Sequence, residues 1–309
     1  MTIICGVDVC AAWLDAWVAG EFCRVENSLA GVEGLADFCR RHGVSLVVME
    51  ATGGYERLAV GRLWAEGLAC AVINPRAVRQ FAEAMGRLEK TDRIDAAVIA
   101  WYAQVKRIVA QAPASDIQRK LAVAVTRLRQ LTALRTMQSN QRRLVDDPEV
   151  RGSIDEMLAL IARQSRAFEA TIIALIGSDP VWARLDAAFR SIKGVADRTV
   201  ARVLAEMPEI GSLSNKAAAK LTGLAPLAHD SGKRAGKRHV RGGRSPLRSI
   251  LFVVAEVVRR HEPDFAAFHK RLTLAGKPKK VIRIALAHKL LVRLNAKARD
   301  VRSQIVCPA

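Results

Sequence analysis

No stretch of the 309-residue sequence approaches the eighteen or so uncharged apolar residues that a membrane-spanning helix requires. The amino-terminal run MTIICGVDVC also lacks the basic region and small-residue cleavage site of a signal peptide. A cytoplasmic protein without membrane partners is therefore expected. Cysteine is scarce and badly spaced for chemistry: Cys5, Cys10, Cys23, Cys39, Cys70 and Cys307 form no CxxC pair, and five of the six fall in apolar segments of the first third. That pattern excludes a disulfide framework and a zinc knuckle, and fits buried free thiols in a reducing compartment. Acidic residues are sparse only in the back of the chain. Residues 1–105 carry net charge −3, residues 106–189 net +4, and residues 190–309 net +18. A neutral or acidic front joined to a strongly basic back reads as a catalytic domain linked to one that binds a polyanion, with nucleic acid the leading partner.

The front third alternates strand and helix patterns. TIICGVDVC (2–10), WLDAWVAG (13–20) and EFCRVENS (21–28) read as a three-strand meander, with a glycine at the second join. A helix over 31–43, a continuous apolar strand SLVVMEATGG (45–54), a helix over 55–67, a strand over 69–75 and a helix over 76–87 follow. A further helix opens at KTDRIDA (90–96) and carries Asp92 and Asp95 three residues apart, on one face. As isolated residues the two aspartates are ordinary helix-start acids, one of them a possible cap. The order of elements changes their weight. A β-β-β-α-β-α-β-α chain can set the first strand beside the fourth, making Asp8 and Glu50 neighbours under that helix. Four converging carboxylates repel one another and need cations, as in a two-ion phosphoryl-transfer site.

The middle of the chain predicts two long amphipathic helices, 121–147 and 153–177, punctuated by Pro148 and Gly152 and packed as an antiparallel or coiled-coil hairpin. From Ser191, SIKGVADRTV suggests a helix-hairpin-helix whose Lys193-Gly194-Val195 turn grips a phosphate through backbone amides. The following stretch, 231–248, gathers Lys233, Arg234, Lys237, Arg238, Arg241, Arg244 and Arg248 among glycines, ahead of an apolar helix. Together with Lys193 these are candidate nucleic-acid contacts. If all seven residues of the 231–248 stretch bound phosphates of duplex DNA, the log–log salt slope would be about −6. The expected domains are 1–110, a helical spacer at 111–185 and a basic domain at 186–309.

The motifs GVDVC, MEATGGYE, INP and KTDRIDA in front, and IKGV, GLAP and HDSGKRAGKR with GGRSPLR behind, resemble those of the insertion-sequence-110 family of DEDD transposases. The resemblance implies an α/β RNase H-like (RuvC-like) amino-terminal domain, a long helical coiled-coil spacer and a mostly α carboxy-terminal domain with a helix-hairpin-helix-like element. It implies that Asp8, Glu50, Asp92 and Asp95 bind Mg2+ or Mn2+, and that Ser231 attacks DNA to form a phosphoserine link. It further implies an RNA-guided recombinase, acting on the ends of a mobile element and its target as a homo-oligomer at the nucleoid. Without it, Ser231 reads as a turn serine, and His229-Asp230-Ser231 cannot form a relay because loop neighbours do not reach one another in that geometry. Two rivals remain: a metal-dependent hydrolytic nuclease or junction resolvase in which Ser231 is structural, and a nonenzymatic nucleic-acid binder using the basic domain alone.

Overall fold

The computed structural model of the chain describes residues 2–87, 89, 91–228, 230–232, 236 and 238–306, the last without its side chain. By contacts it divides into two units, 1–114 and 115–309.

In the first unit, β1 (Ile4–Val9), β2 (Trp13–Val18) and β3 (Glu21–Glu26) form the expected antiparallel meander. Ala19 and Gly20 make the β2–β3 turn with φ of 48° and 104°, the pair of positive values a two-residue primed hairpin needs. Helix α1 (Leu29–Arg41), capped by the Ser28 hydroxyl, leads to β4 (Leu46–Glu50), and α2 (Glu56–Ala65) leads to β5 (Cys70–Ile73). Helices α3 (Pro75–Ala84) and α4 (Asp92–Lys106) complete the unit. The sheet order is β3-β2-β1-β4-β5, with β4 parallel to both β1 and β5. The first and fourth strands are thus neighbours, as the element order predicts.

The two sheet faces have separate cores because strand side chains alternate. Cys5, Val7, Val47 and Met49 pack with Val32, Leu35 and Leu63 of α1 and α2. Leu46, Val48, Ala71 and Ile73 pack instead with Val78 of α3 and Val98, Ile99 and Ala103 of α4. By alternation Asp8 and Glu50 belong to this second face, the one covered by α4. Cys5, Cys39 and Cys70 are buried free thiols, while Cys10 is exposed.

The second unit begins with α5 (Asp116–Arg142) and α6 (Pro148–Ser178). Arg127 reaches Gln164 and Arg142 pairs with Asp155, so the two helices run antiparallel. The sequence places a break over 148–152, whereas α6 starts at Pro148. Proline has no amide to donate and suits the first helical position, and the Asp147 side chain caps the helix. Leu121, Val125, Leu128, Ile172 and Ile176 share one core with the helices that follow, so this end of the hairpin is built into the basic unit.

Those helices are α7 (Pro180–Arg190), α8 (Asp197–Glu206) and α9 (Asn215–Thr222). A two-stranded ribbon of β6 (Pro226–Leu227) and β7 (His239–Val240) comes next. Helices α10 (Ser245–His261), α11 (Pro263–Leu274) and α12 (Lys279–Val306) end the unit. Among the described residues no helix is long and apolar enough to cross a membrane.

Candidate functional site

Helix α4 carries two of the candidate acids, and its approach to the sheet is set by a glycine. Thr91, rather than Asp92, is the cap: its hydroxyl accepts the Ile94 amide at 3.3 Å. Asp92 and Asp95 both fall in the first turn, where the macrodipole favours negative charge. Below them, a Cβ built on Gly6 of β1 would overlap the Ala96 carbonyl oxygen and lie 2.5 Å from the Ala100 nitrogen. Only a residue without a side chain lets the helix backbone come this close. Asp8, two residues along the same strand face, therefore lies beneath the first turn of α4.

The electrostatics follow that placement. The Asp8 carboxyl is pushed above the usual aspartate range, first by burial and then by the charge of Asp95, with smaller contributions from Asp92 and Asp15. The Val9 amide, 3.0 Å from Asp8 Oδ1, opposes the shift. Glu50 is the last residue of β4 and half-buried, one step beyond the Val7–Met49 pair that joins β1 to β4. The loop after it is held by Glu56, whose carboxylate accepts from the Thr52 amide, the Thr52 hydroxyl and the Gly54 amide at 2.9–3.1 Å. Burial pushes the Glu56 carboxyl up, but its own backbone amide together with these Thr52 and Gly54 donors outweighs it and holds the carboxyl below the usual range. Asn27 donates from Nδ2 to the carbonyls of Cys10 and Tyr55, tying together the loops that follow β1 and β4.

One residue at this site escapes a motif-based reading. Arg24 of β3 donates from Nε and Nη2 to the two oxygens of Asp15, at 2.7 and 3.0 Å, and from Nη2 to Asp92 at 2.5 Å. Asp15 is only 3% exposed. The register places Asp8 opposite Asp15 and Asp15 opposite Arg24, so the three form a row across β1, β2 and β3. Strict alternation in WLDAWV and EFCRVE is the signal that could have put both on the face of Asp8.

The donor set consists of carboxylate oxygens, the ligands Mg2+ and Mn2+ prefer. A half-buried Asp8 whose ionisation is opposed by its neighbours also fits a place that takes a cation. Among the described residues, however, no group of three or more such side chains stands close enough to hold an ion. The order of elements predicts that all four acids meet at one point. The structure puts Asp8, Asp92 and Asp95 within electrostatic reach and Glu50 at the adjoining strand end.

In the second unit, Ser231 is exposed, in the connection between β6 and β7. Asp230 beside it accepts the Gly236 amide at 3.0 Å and pairs with Arg238 at 2.9 Å, closing the loop on itself. His229, Lys233, Arg234 and Lys237, like Lys90 before Thr91, lie outside the described residues. Arg244 is engaged internally, donating to the Glu206 carbonyl at 2.7 Å and to both oxygens of Glu209. That contact holds the Glu209 carboxyl below the usual range against the opposing effect of burial. Arg248 donates to the Gly242 carbonyl at 2.6 Å, while Arg241 is exposed. In the α7–α8 turn, the Lys193 amide donates to the Glu262 carboxylate at 3.0 Å. Gly194, at φ 98°, packs against the backbone of Val258.

Comparison with known proteins bears on both units. Residues 7–147 match the DEDD transposase model of the IS110 family, and residues 186–270 match a model described as transposase of the IS116/IS110/IS902 family. The chain is 28% identical over 306 residues to a pilin gene-inverting protein of Moraxella bovis, covering 96% of this chain and 93% of that one. A pilin gene-inverting protein of Moraxella lacunata matches equally. An uncharacterized 43.6 kDa protein of insertion element IS110 from Streptomyces coelicolor is 30% identical over 150 residues, 48% of this chain and 36% of that one. With transposase models of one family matching in the front and the back of the sequence, the chain belongs to the IS110 family of transposases.

Proposed function

We propose that this transposase cuts and rejoins DNA strands through a covalent phosphoserine link made by Ser231, assisted by divalent cations held by Asp8, Glu50, Asp92 and Asp95. The RNase H-like reading of the first unit is supported by its sheet order and by the α4 face on which the acids lie. The observation that carries the metal reading is Asp8, whose carboxyl resists ionisation because it is half-buried beside Asp95 and Asp92. Mg2+ or Mn2+ bound there would supply charge neutralisation at a phosphate and a lowered pKa for a coordinated hydroxyl.

The chain's own groups then divide the work. In the cleavage step a bond forms from the Ser231 oxygen to phosphorus while the bond from phosphorus to a deoxyribose oxygen breaks. The serine hydroxyl gives up its proton and the departing oxygen gains one. Rejoining is the same exchange with a deoxyribose hydroxyl as nucleophile. Exposure of Ser231, and a loop closed by Asp230 on Gly236 and Arg238, support its access to a phosphate backbone. Arg241 and Arg248, with Lys233, Arg234 and Lys237 of the same basic stretch of sequence, would hold that backbone. Sequence choice is assigned to a structured noncoding RNA pairing with the element ends and the target, with the protein acting as a homo-oligomer in the cytoplasm at the nucleoid.

The metal reading is tested by Mn2+ binding to the full chain, followed by electron paramagnetic resonance of the free ion. Wild type should bind, and Asp8→Asn should bind at least about tenfold more weakly, the usual cost of removing a carboxylate ligand or its support. Equal binding by the two proteins would remove Asp8 from the site.

A further inference from the structure

Arg24 is placed where a cation is needed. Asp15 is buried on the middle strand of the meander and is matched there by the Arg24 fork, Nε meeting one of its oxygens and Nη2 the other. Breaking such a contact would strand a buried charge, so the fork stays on Asp15. The same Nη2 also reaches Asp92 at 2.5 Å, and the Asp92 side chain is 61% exposed. An ion pair that open to water is exchanged at little cost. Arg24 therefore has one permanent carboxylate partner and one replaceable partner, and the replaceable one is a proposed metal ligand.

We infer that Arg24 is a resident counter-cation of the acid cluster, neutralising Asp92 in the ion-free protein and competing with an incoming divalent cation for that carboxylate. The inference rests on the metal-site reading above. Its physical content is a negative coupling. A contact and an ion that use one carboxylate each weaken the other by the same factor, and such couplings typically amount to about 5- to 150-fold. The row of Asp8, Asp15 and Arg24 across three strands gives it a second consequence. Without Arg24, the charges of Asp8, Asp15, Asp92 and Asp95 face one another with one fewer cation beside them, and the fold of the first unit should then lean on the metal.

The test uses the full chain as wild type and as Arg24→Gln, with Arg93→Gln as control. Arg93 lies over the Phe22 ring of the same sheet. Mn2+ affinity is read from the free-ion resonance. Thermal melting is read from tryptophan fluorescence, which reports mainly on the first unit because Trp13, Trp17, Trp64 and Trp101 lie there and only Trp182 lies outside it. Arg24→Gln should melt below wild type in EDTA, bind Mn2+ at least about fivefold more tightly, and gain more in Tm than wild type at saturating Mn2+. The control should follow wild type. A purely structural ion pair would lower Tm by the same amount with and without Mn2+. That result, or an unchanged or weaker affinity in Arg24→Gln, would overturn the inference. A wild-type chain that binds no Mn2+ would overturn the metal-site reading, and this inference with it. Should Arg24→Gln not be recovered folded, Arg24→Lys keeps one charge but lacks the planar fork that pairs with both oxygens of Asp15 while reaching Asp92. A smaller Mn2+-dependent gain, still above wild type, is expected of it, and no gain overturns the inference.

Discussion

Gly6 and Ala96 meet with no room for a side chain: a Cβ on the strand residue would overlap the helix carbonyl. This one approach fixes how far Asp92 and Asp95 stand above Asp8. Gly6→Ala must push α4 outward or bend β1, and overpacking of this kind costs about 1–3 kcal/mol. The expected outcome is a lowered melting temperature together with loss of strand cleavage, since the acids move apart. A variant that melts lower but cleaves at the wild-type rate would show that the spacing is not critical.

The raised Asp8 carboxyl makes a prediction about pH. A group whose folded-state pKa lies above its unfolded value binds more protons in the folded protein across that window, so stability falls as pH rises through it. In EDTA the first unit should therefore lose stability from the ordinary aspartate range upward, and Asp8→Asn should remove that loss. At neutral pH, Asp8→Asn should melt above wild type while being inactive in cleavage. Equal melting of the two proteins in EDTA as pH rises from the ordinary aspartate range to neutral would contradict the crowding of Asp8 by Asp95 and Asp92.

Arginines of the basic stretch should separate into two kinds. Arg244→Gln loses the Glu209 and Glu206 contacts and should destabilise the second unit by roughly 1 kcal/mol. Glu209 sits below its ordinary pKa, so its share of stability is full above the unfolded value and fades as pH drops through the folded one. The stability gap between wild type and Arg244→Gln should accordingly narrow in acid. Arg241→Gln should leave melting unchanged, weaken DNA binding without sequence preference, and reduce the salt slope by about 1. The reverse pattern would exchange their roles.

Much of this arrangement is legible in the sequence, for identifiable reasons. Apolar runs ending at Glu50 and Pro75, and the Ala19-Gly20 turn, fix the strands, because each side chain's face follows from a period of two. The chain order permits the neighbouring of Asp8 and Glu50, and the parallel pairing of β1 with β4 realises it. Arg24 and Asp15 do not stand out in the sequence, since one arginine and one aspartate in separate strands gain meaning only when register sets them opposite each other. Likewise, Arg244 looks identical to Arg241 in a basic run. Only the turn that follows α8 brings Glu209 to it, and a contact over 35 residues leaves no local signature. The Lys193-Gly194-Val195 turn predicts backbone amides that grip a phosphate, yet Glu262, nearly seventy residues away in sequence, accepts from the Lys193 amide.

The chemistry turns on which atom becomes bonded to DNA. The most direct measurement is a denaturing gel of labelled DNA carrying the element ends and target, incubated with the full chain, the proposed structured noncoding RNA and Mg2+. Wild type should give a slow-migrating protein–DNA adduct. Ser231→Ala should give none while still binding DNA, and Asp92→Asn should give none for want of the ion. Cleaved strands with free ends and no adduct in wild type, persisting in Ser231→Ala, would contradict the account and establish a hydrolytic nuclease in which Ser231 is only a turn residue.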